Sequence, residues 1–267
     1  MSLQDSERIR LILNGSIPSM LIKLATPNMI SVIFMLVITY SEIFFAGQLG
    51  IIPLAAVAVV FPLVSLAGMI GQGAIGGGVV SALSRSIGSN DINRANFVVW
   101  HSIIVYSIIS ILFFVIFVGF SKHIFSLIGV EEEVVNEALT YSRIFFGFSP
   151  FIFLFFLLTS IFRAFGDYQY LARINIITGL AQLLLAGSLS LGWWFFPSFG
   201  LVGLALAMII PQAFASIYML ISIYRGRYNI SIKITSLRKD IFIDIFKVGG
   251  VGAINSISIA LTILITT

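Results

Sequence analysis

Residues 51–83 read IIPLAAVAVVFPLVSLAGMIGQGAIGGGVVSAL, an apolar stretch without a single charged residue. A helix needs about 20 apolar residues to cross the hydrocarbon core of a bilayer, so this stretch predicts a transmembrane helix with length to spare for tilt. Of the 267 residues in the chain, 59% are hydrophobic and only 10% are charged. Soluble domains carry about 25% charged residues, so the composition excludes an ordinary water-soluble protein.

Apolar stretches of similar length recur along the whole chain. Cysteine is absent, which excludes disulfides, thiolate metal sites and a cysteine nucleophile. The expected fold class is therefore all-α, a polytopic membrane protein with a six-helix lobe and a seventh helix that starts a second repeat. The predicted spans are 17–46, 51–83, 97–120, 138–162, 171–196, 198–224 and 244–267.

Basic residues are concentrated in alternate loops between these spans. If the N-terminus lies inside, the even-numbered loops carry most of the arginine and lysine, and this asymmetry is the positive-inside pattern. We expect a plasma (inner) membrane protein with a cytoplasmic N-terminus. The net charge of +4 then arises from basic residues in the cytoplasmic loops and does not indicate nucleic-acid binding. The residues that carry this asymmetry are Arg85, Arg94, Arg163, Arg173, Arg225, Arg227, Lys233, Arg238, Lys239 and Lys247.

A basic connector at 225–243 divides the chain into unequal parts. Residues 1–224 form the predicted six-helix lobe, and residues 244–267 form the first helix of a second, incomplete lobe. Phe246–Gly250 resembles the entry to the first span at Ile22–Pro27, because in each a lysine precedes an apolar helix of small residues. We expect the chain to be a fragment of a protein about twice as long.

Glu42 is the one acidic residue that does not lie in the N-terminal lead-in, in a loop or at the edge of a predicted span. An ionisable group in a membrane helix is costly enough to be a functional hypothesis, although the span could also end at Tyr40 and leave Glu42 at the interface. At 100° per residue, polar residues of the first span share one stripe that ends in this carboxylate. The stripe consists of Asn28, Ser31, Met35, Thr39 and Glu42.

The fifth span carries a similar polar face, formed by Asn175, Thr178 and Gln182. A polar cavity between the first and fifth helices is one interpretation. Hydrogen bonding between neighbouring helices is the other, since amides and hydroxyls commonly join membrane helices.

A glycine cluster lies in the second span, from Gly68 to Gly78. It does not follow a strand and brings no lysine or pairing acid, which excludes a nucleotide-binding loop. Close helix packing and a functional bend remain as alternatives. Enzyme motifs and histidine-rich clusters are absent, and a lone histidine such as His101 or His123 is usually structural. We therefore expect a protein that is not an enzyme and has no metal and no cofactor.

Four stretches together resemble the multidrug and toxic compound extrusion family of antiporters. They cover nearly the whole chain in a consistent order: Glu42–Gly50 with Pro53–Val57, Gly76–Gly88, Phe162–Asp167 and Pro197–Ala207. The resemblance implies twelve helices in two lobes around a central cavity. It also implies that Glu42 occupies the position of a family aspartate that takes part in proton or sodium coupling.

Three positions depart from the family pattern. Gln182 and Ala186 replace a common asparagine and aspartate in the fifth helix, and Met208 replaces a frequent threonine in the sixth. Sodium prefers several oxygen ligands, so protons are the expected coupling ion and sodium the less favoured one. Bending of the first helix near Pro27 is expected to accompany coupling.

The function implied by the resemblance is export of amphipathic organic cations in exchange for protons, or for sodium. One alternative is a flippase for a lipid-linked or polysaccharide precursor, which is expected to have a strongly basic cavity. Another is an incomplete chain that acts only as a packing or assembly partner. The expected partners are a small organic cation, the lipid bilayer and the missing second lobe.

Overall fold

The fold of the chain, seen in a computed structural model, consists of helices and the segments that connect them, with no strand among the residues that the structure describes. These are residues 17–129, 131–194, 196–228 and 230–266, and the structure describes only the backbone of residues 17–28, 30–32, 35, 127–128, 261 and 263–266. The helices are α1 (Ile17–Leu49), α2 (Ile51–Gly68), α3 (Gly76–Gly88), α4 (Ile92–Phe114), α5 (Ser121–Ile128), α6 (Glu132–Gly147), α7 (Ser149–Ala164), α8 (Tyr168–Leu191), α9 (Gly200–Tyr224) and α10 (Lys239–Thr266). Two π-helical stretches extend them, Met69–Ile75 between α2 and α3 and Val115–Gly119 after α4.

The prediction of a multi-pass helical membrane protein is confirmed. Five helical stretches of the described residues are long and apolar enough to cross a bilayer, and a bent pair, α6 with α7, makes a sixth when counted as one span. The described part of α1 adds a shorter apolar helix at Leu36–Leu49. The five long stretches are Ile51–Gly88, Ile92–Gly119, Tyr168–Leu191, Gly200–Tyr224 and Lys239–Ala260.

The predicted fourth span, 138–162, is two helices rather than one. Helices α6 and α7 meet at Phe148 with a bend of 52°. Pro150 lies in the first turn of α7, where its missing N–H costs nothing and its fixed φ suits a helix start. The apolar pattern runs through this break without a gap, so hydropathy alone merges the two helices.

Helix α7 forms the centre of the bundle. Most of its side chains are buried, and it packs against α3, α4 and α9. Phe153 and Phe162 are among the largest fully buried side chains in the described residues. Phenylalanine therefore fills the interior of this lobe, in addition to any rings that face lipid.

The glycine cluster of the second span serves close packing. A Cβ at Gly71 would lie 2.4 Å from the ring of Phe156, and one at Gly78 would lie 2.2 Å from the carbonyl oxygen of Ile245 in α10. Side chains at these positions would separate the helices. The same span also contains the π-helical stretch Met69–Ile75, hereafter the π segment, so the cluster combines packing with an irregular backbone.

The linking segment, defined as residues 230–238, is not helical and leads into α10 at Lys239. The helix thus begins within the predicted basic connector, before the expected start at 244. The N-terminal half of α10 packs against the π segment and α3.

Candidate cation-coupling site

Glu42 lies in α1, close to the end of the helix at Leu49. The residues that share its face, Phe45 and Ala46, are buried against the bundle, whereas Ile43 and Phe44 are exposed. Positions three and four residues apart lie on one side of a helix, so the carboxylate of Glu42 faces protein. The interpretation of Glu42 as a coupling residue and the alternative that it marks the membrane interface both stay predictions.

Tyr141 of α6 donates a hydrogen bond from its hydroxyl to Oε1 of Glu42. The tyrosine is 1% exposed, and its ring stacks parallel to that of Phe145 with centroids 6.5 Å apart. A carboxylate among helices has little water around it, and a hydroxyl donor offsets part of the cost of its charge.

Met208 of α9 completes the cluster on the other side of Tyr141. Its Sδ lies 3.2 Å from the Tyr141 hydroxyl, within hydrogen-bond reach of a sulfur acceptor. Three helices, α1, α6 and α9, therefore meet through Glu42, Tyr141 and Met208. The hydroxyl has one proton to donate and two acceptors, one of them a thioether, which is a weak acceptor.

The predicted polar face of α8 points into the bundle. Thr178 and Gln182 are each 8% exposed, and Asn175 is half-buried. Helix α8 packs closely on α1 because Gly179 has no side chain and leaves room for Ile38 and Phe34. A Cβ at Gly179 would lie 2.1 Å from Cδ1 of Ile38. At this level the contact between the two helices is tight and apolar.

The hydrogen-bond partner that the described residues provide for Glu42 thus comes from α6 and not from the predicted face of α8. Thr39 is half-buried in α1. The side chains of Pro27, Asn28 and Ser31 lie outside the described part of the chain. The polar cavity between the first and fifth spans, and the bend near Pro27, stay predictions.

Sequence reasoning missed Tyr141, although a signal for it was present. Tyr141 is the one tyrosine within the predicted span 138–162. A carboxylate within a membrane needs a donor, and tyrosine can supply one from within an apolar helix. Helical periodicity relates residues of one helix, whereas the pairing of Glu42 with Tyr141 joins two helices.

An apolar groove of about 420 Å³ lies on another side of α1, between α1 and α8. Its lining includes Tyr40, Phe44, Leu184 and Trp193, and Glu42 is not part of it. Within the described residues, no three acidic or histidine side chains come together in a way that could hold a metal ion.

Known proteins resemble this chain over most of its length. The MatE family model matches residues 27–187, more than half of the chain. A probable multidrug resistance protein of Bacillus subtilis, YoeA, is 26% identical over 219 residues, which are 80% of this chain and 47% of YoeA. A multidrug export protein of Staphylococcus saprophyticus, MepA, is 28% identical over 245 residues, which are 90% of this chain and 53% of MepA.

Solved structures share the fold. A MOP superfamily transporter from Pyrococcus furiosus superposes with a TM-score of 0.81 at 23% identity, over 90% of this chain and 53% of the transporter. The chain therefore spans about half the length of the relatives and structures that it matches.

Proposed function

This chain belongs to the MatE family of membrane transporters, and we propose that it forms one lobe of an exporter that moves amphipathic organic cations in exchange for protons. One observation carries the proposal: Glu42, a carboxylate within the helix bundle, accepts a hydrogen bond from the buried hydroxyl of Tyr141. The names of the two curated relatives, a multidrug export protein and a probable multidrug resistance protein, support a small organic cargo.

A single buried carboxylate can couple two cations because it neutralises only one at a time. In the ionised form, Glu42 accepts a hydrogen bond from the Tyr141 hydroxyl and offers the one negative charge of the site. In the protonated form, the charge is gone and the site no longer attracts an organic cation. Exchange follows when the two forms are favoured on opposite sides of the membrane.

The Tyr141 hydroxyl can change partner with the charge of Glu42. When Glu42 is protonated, its own hydroxyl can donate to the phenolic oxygen, and Tyr141 can then turn its proton towards Met208 Sδ, 3.2 Å away. Each protonation state thus has a hydrogen-bonded arrangement, so neither leaves a buried donor without an acceptor.

Protons suit this site better than sodium. Sodium binds several oxygen ligands at once, whereas the carboxylate here is accompanied by a hydroxyl that already donates to it and by a thioether sulfur. We infer that the substitution of the common family threonine by Met208 removes one oxygen ligand from this lobe.

We infer further that the chain lies in the plasma (inner) membrane with its N-terminus in the cytoplasm. The basic residues of the even-numbered loops support this orientation. A second lobe is expected to supply the opposite wall of the substrate cavity. The groove beside Phe44 and Trp193 is apolar and does not contain Glu42, so it is not the proposed coupling site.

The test is proton-driven efflux of tetraphenylphosphonium from proteoliposomes that contain the complete transporter. Glu42→Gln keeps the size of the side chain and removes its titration, and we expect at least a hundredfold loss of gradient-driven efflux, the lower end of the range of about 10²–10⁴ for general acid–base groups. Tyr141→Phe is expected to slow efflux less, because the carboxylate remains.

Glu133→Gln is the matched control, since Glu133 is an exposed residue in the first turn of α6. Efflux at the wild-type rate in Glu42→Gln would refute the proposal. An equal loss in Glu133→Gln would show that the effect is not specific to the site.

A further inference from the structure

His101 of α4 is completely buried, and both of its ring nitrogens have partners. Nδ1 lies 2.7 Å from the carbonyl oxygen of Phe97, one turn earlier in the same helix. Nε2 lies 2.8 Å from the backbone nitrogen of Arg238, the last residue of the linking segment. A residue that the sequence assigns to a purely structural role thus joins two elements far apart in the chain.

These two contacts determine the protonation state of the ring. A carbonyl oxygen only accepts, so Nδ1 must carry a proton. A backbone N–H only donates, so Nε2 must be bare. The geometry is therefore satisfied by the neutral imidazole with its proton on Nδ1, and a second proton on Nε2 would face the N–H of Arg238.

Arg238 is the residue on which α10 begins. Its carbonyl oxygen accepts from the backbone N–H groups of Ile241 and Phe242, at 3.2 and 3.4 Å. The edge of the His101 ring also contacts Phe242, with centroids 4.7 Å apart. His101 therefore holds the start of α10 as well as the end of the linking segment.

Other contacts tie the same segment to α4. The backbone N–H of Ser231 donates to Oδ1 of Asn96 at 2.8 Å. The guanidinium of Arg238 lies over the ring of Phe97, 5.3 Å from its centroid. Ser231 and Arg238 are thus both held by α4, one near each end of the linking segment.

Charged groups of both signs lie on the elements that pack against this part of α4. Helix α4 contributes Arg94, α3 contributes Arg85, α7 contributes Arg163, and the linking segment contributes Arg238, all cations. The acids at this end of α10 are engaged by these arginines: Asp240 by Arg238 and Arg94, and Asp244 by Arg94 and Arg85. The N-terminus of α10 adds the positive end of its dipole.

We propose that His101 is a proton-sensitive clasp that holds the linking segment and the start of α10 against α4. The clasp is closed while the imidazole is neutral. When the ring takes up a proton at Nε2, the hydrogen bond from Arg238 is lost, two donors face each other, and the linking segment separates from α4. This property does not depend on the transported substrate or the coupling ion.

The experiment uses the absence of cysteine from the chain. Thr235→Cys places a thiol in the linking segment, where the Thr235 hydroxyl is buried and makes no hydrogen bond to the described residues, so the replacement removes none of these contacts. Ser236→Cys places a thiol at the exposed neighbouring position. The ratio of the two maleimide labelling rates in detergent corrects for the effect of pH on thiol reactivity.

In the wild-type background, we expect the ratio of the Thr235→Cys rate to the Ser236→Cys rate to rise about tenfold on acidification from about pH 7.5 to about pH 5. His101→Gln retains an acceptor oxygen but cannot titrate, so the ratio should stay low at both pH values. His101→Phe removes the acceptor, so the ratio should be high at both.

His123→Gln is the control, because His123 is exposed in α5 and its replacement should leave the pH response intact. A ratio that does not change with pH in the wild-type background would overturn the proposal. A rise in His101→Gln equal to that of the wild type would also overturn it, since another group would then be responsible. If His101→Phe does not yield folded protein, the comparison with His101→Gln decides the matter alone.

Discussion

At the scale of the residue, Asp167 shows how a loop acid becomes part of the fold. Its Oδ1 accepts from the backbone N–H of Tyr170 at 3.3 Å and caps α8, while its Oδ2 accepts from Nη2 of Arg227 and the hydroxyl of Tyr228, both at 2.8 Å. Burial opposes ionisation of this carboxyl, but the hydrogen bonds from Arg227 and Tyr228 outweigh it and lower the pKa of Asp167. Burial and the hydrogen bond to Asp167 raise the pKa of Tyr228.

This pKa shift predicts the pH dependence of stability. A carboxyl whose pKa is lowered by folding stabilises the native state above its ordinary pKa of about 3.9, and the contribution is lost as the pH falls through the lower, folded value. Asp167→Asn keeps the capping oxygen and removes the charge, so it should reduce the free energy of unfolding by about 1 kcal/mol at neutral pH. Thermal unfolding in detergent over a series of pH values measures the effect.

The two proteins should converge in stability as the pH falls below about 4 and through the lowered pKa of the native aspartate, where the native carboxyl also becomes protonated. Asp91→Asn is a suitable comparison, because Asp91 caps α4 through Arg94 N at 2.9 Å and forms no ion pair within the described residues. A difference between wild type and Asp167→Asn that is the same at pH 7 and pH 3 would contradict the assignment.

At the scale of the element, the π segment owes its stability to side chains from other helices. A π-helical turn leaves carbonyl groups without their usual partners, and such turns are frequent at functional sites. Here the hydroxyl of Tyr106 donates to the carbonyl oxygen of Gly71 at 2.5 Å, and Nη2 of Arg163 donates to that of Gln72 at 2.8 Å. The irregular turn is thus held by donors from α4 and α7.

Tyr106→Phe should therefore lower the melting temperature of the protein in detergent. The change leaves the buried carbonyl oxygen of Gly71 without this donor, which costs about 1–3 kcal/mol. Tyr224→Phe removes the same hydroxyl from an exposed ring at the end of α9 and should have almost no effect. Equal melting temperatures for the two variants would show that the hydroxyl of Tyr106 does not hold the π segment.

Features that belong to a single segment were predictable from the sequence, whereas features that depend on contacts between distant segments were not. Hydropathy predicted the apolar spans because burial in lipid is a property of each segment taken alone. It missed the break at Phe148, where the apolar pattern does not change, and the π segment, which depends on Tyr106 and Arg163 in distant helices. Glu42 was predictable from its cost in a membrane, but Tyr141 was not, because the contact between them depends on how α1 and α6 pack.

At the scale of the whole molecule, α10 packs against the helices that precede it with backbones in contact. A Cβ at Gly252 would lie 3.0 Å from Cα of Ala74, and one at Gly249 would lie 3.2 Å from the carbonyl oxygen of the same residue. Near the start of the helix, Asp244 forms ion pairs with Arg94 at 2.5 Å and Arg85 at 3.3 Å. The N-terminal half of α10 is therefore expected to move together with α3 and α4 as one body.

This close contact predicts that Gly78→Val will separate α10 from α3, because the added Cβ would lie 2.2 Å from the carbonyl oxygen of Ile245, a backbone atom that cannot turn aside. Gly77→Val is the matched control, since it has the same helix propensity cost but no atom within 4 Å of its Cβ. A cysteine at the buried position Ile245 reports the separation. Its reaction with maleimide should be about tenfold faster or more in Gly78→Val, as an overpacking cost of about 1–3 kcal/mol implies, and unchanged in Gly77→Val. Equal protection in both variants would mean that α10 is not held by this contact and that the two helices can move independently.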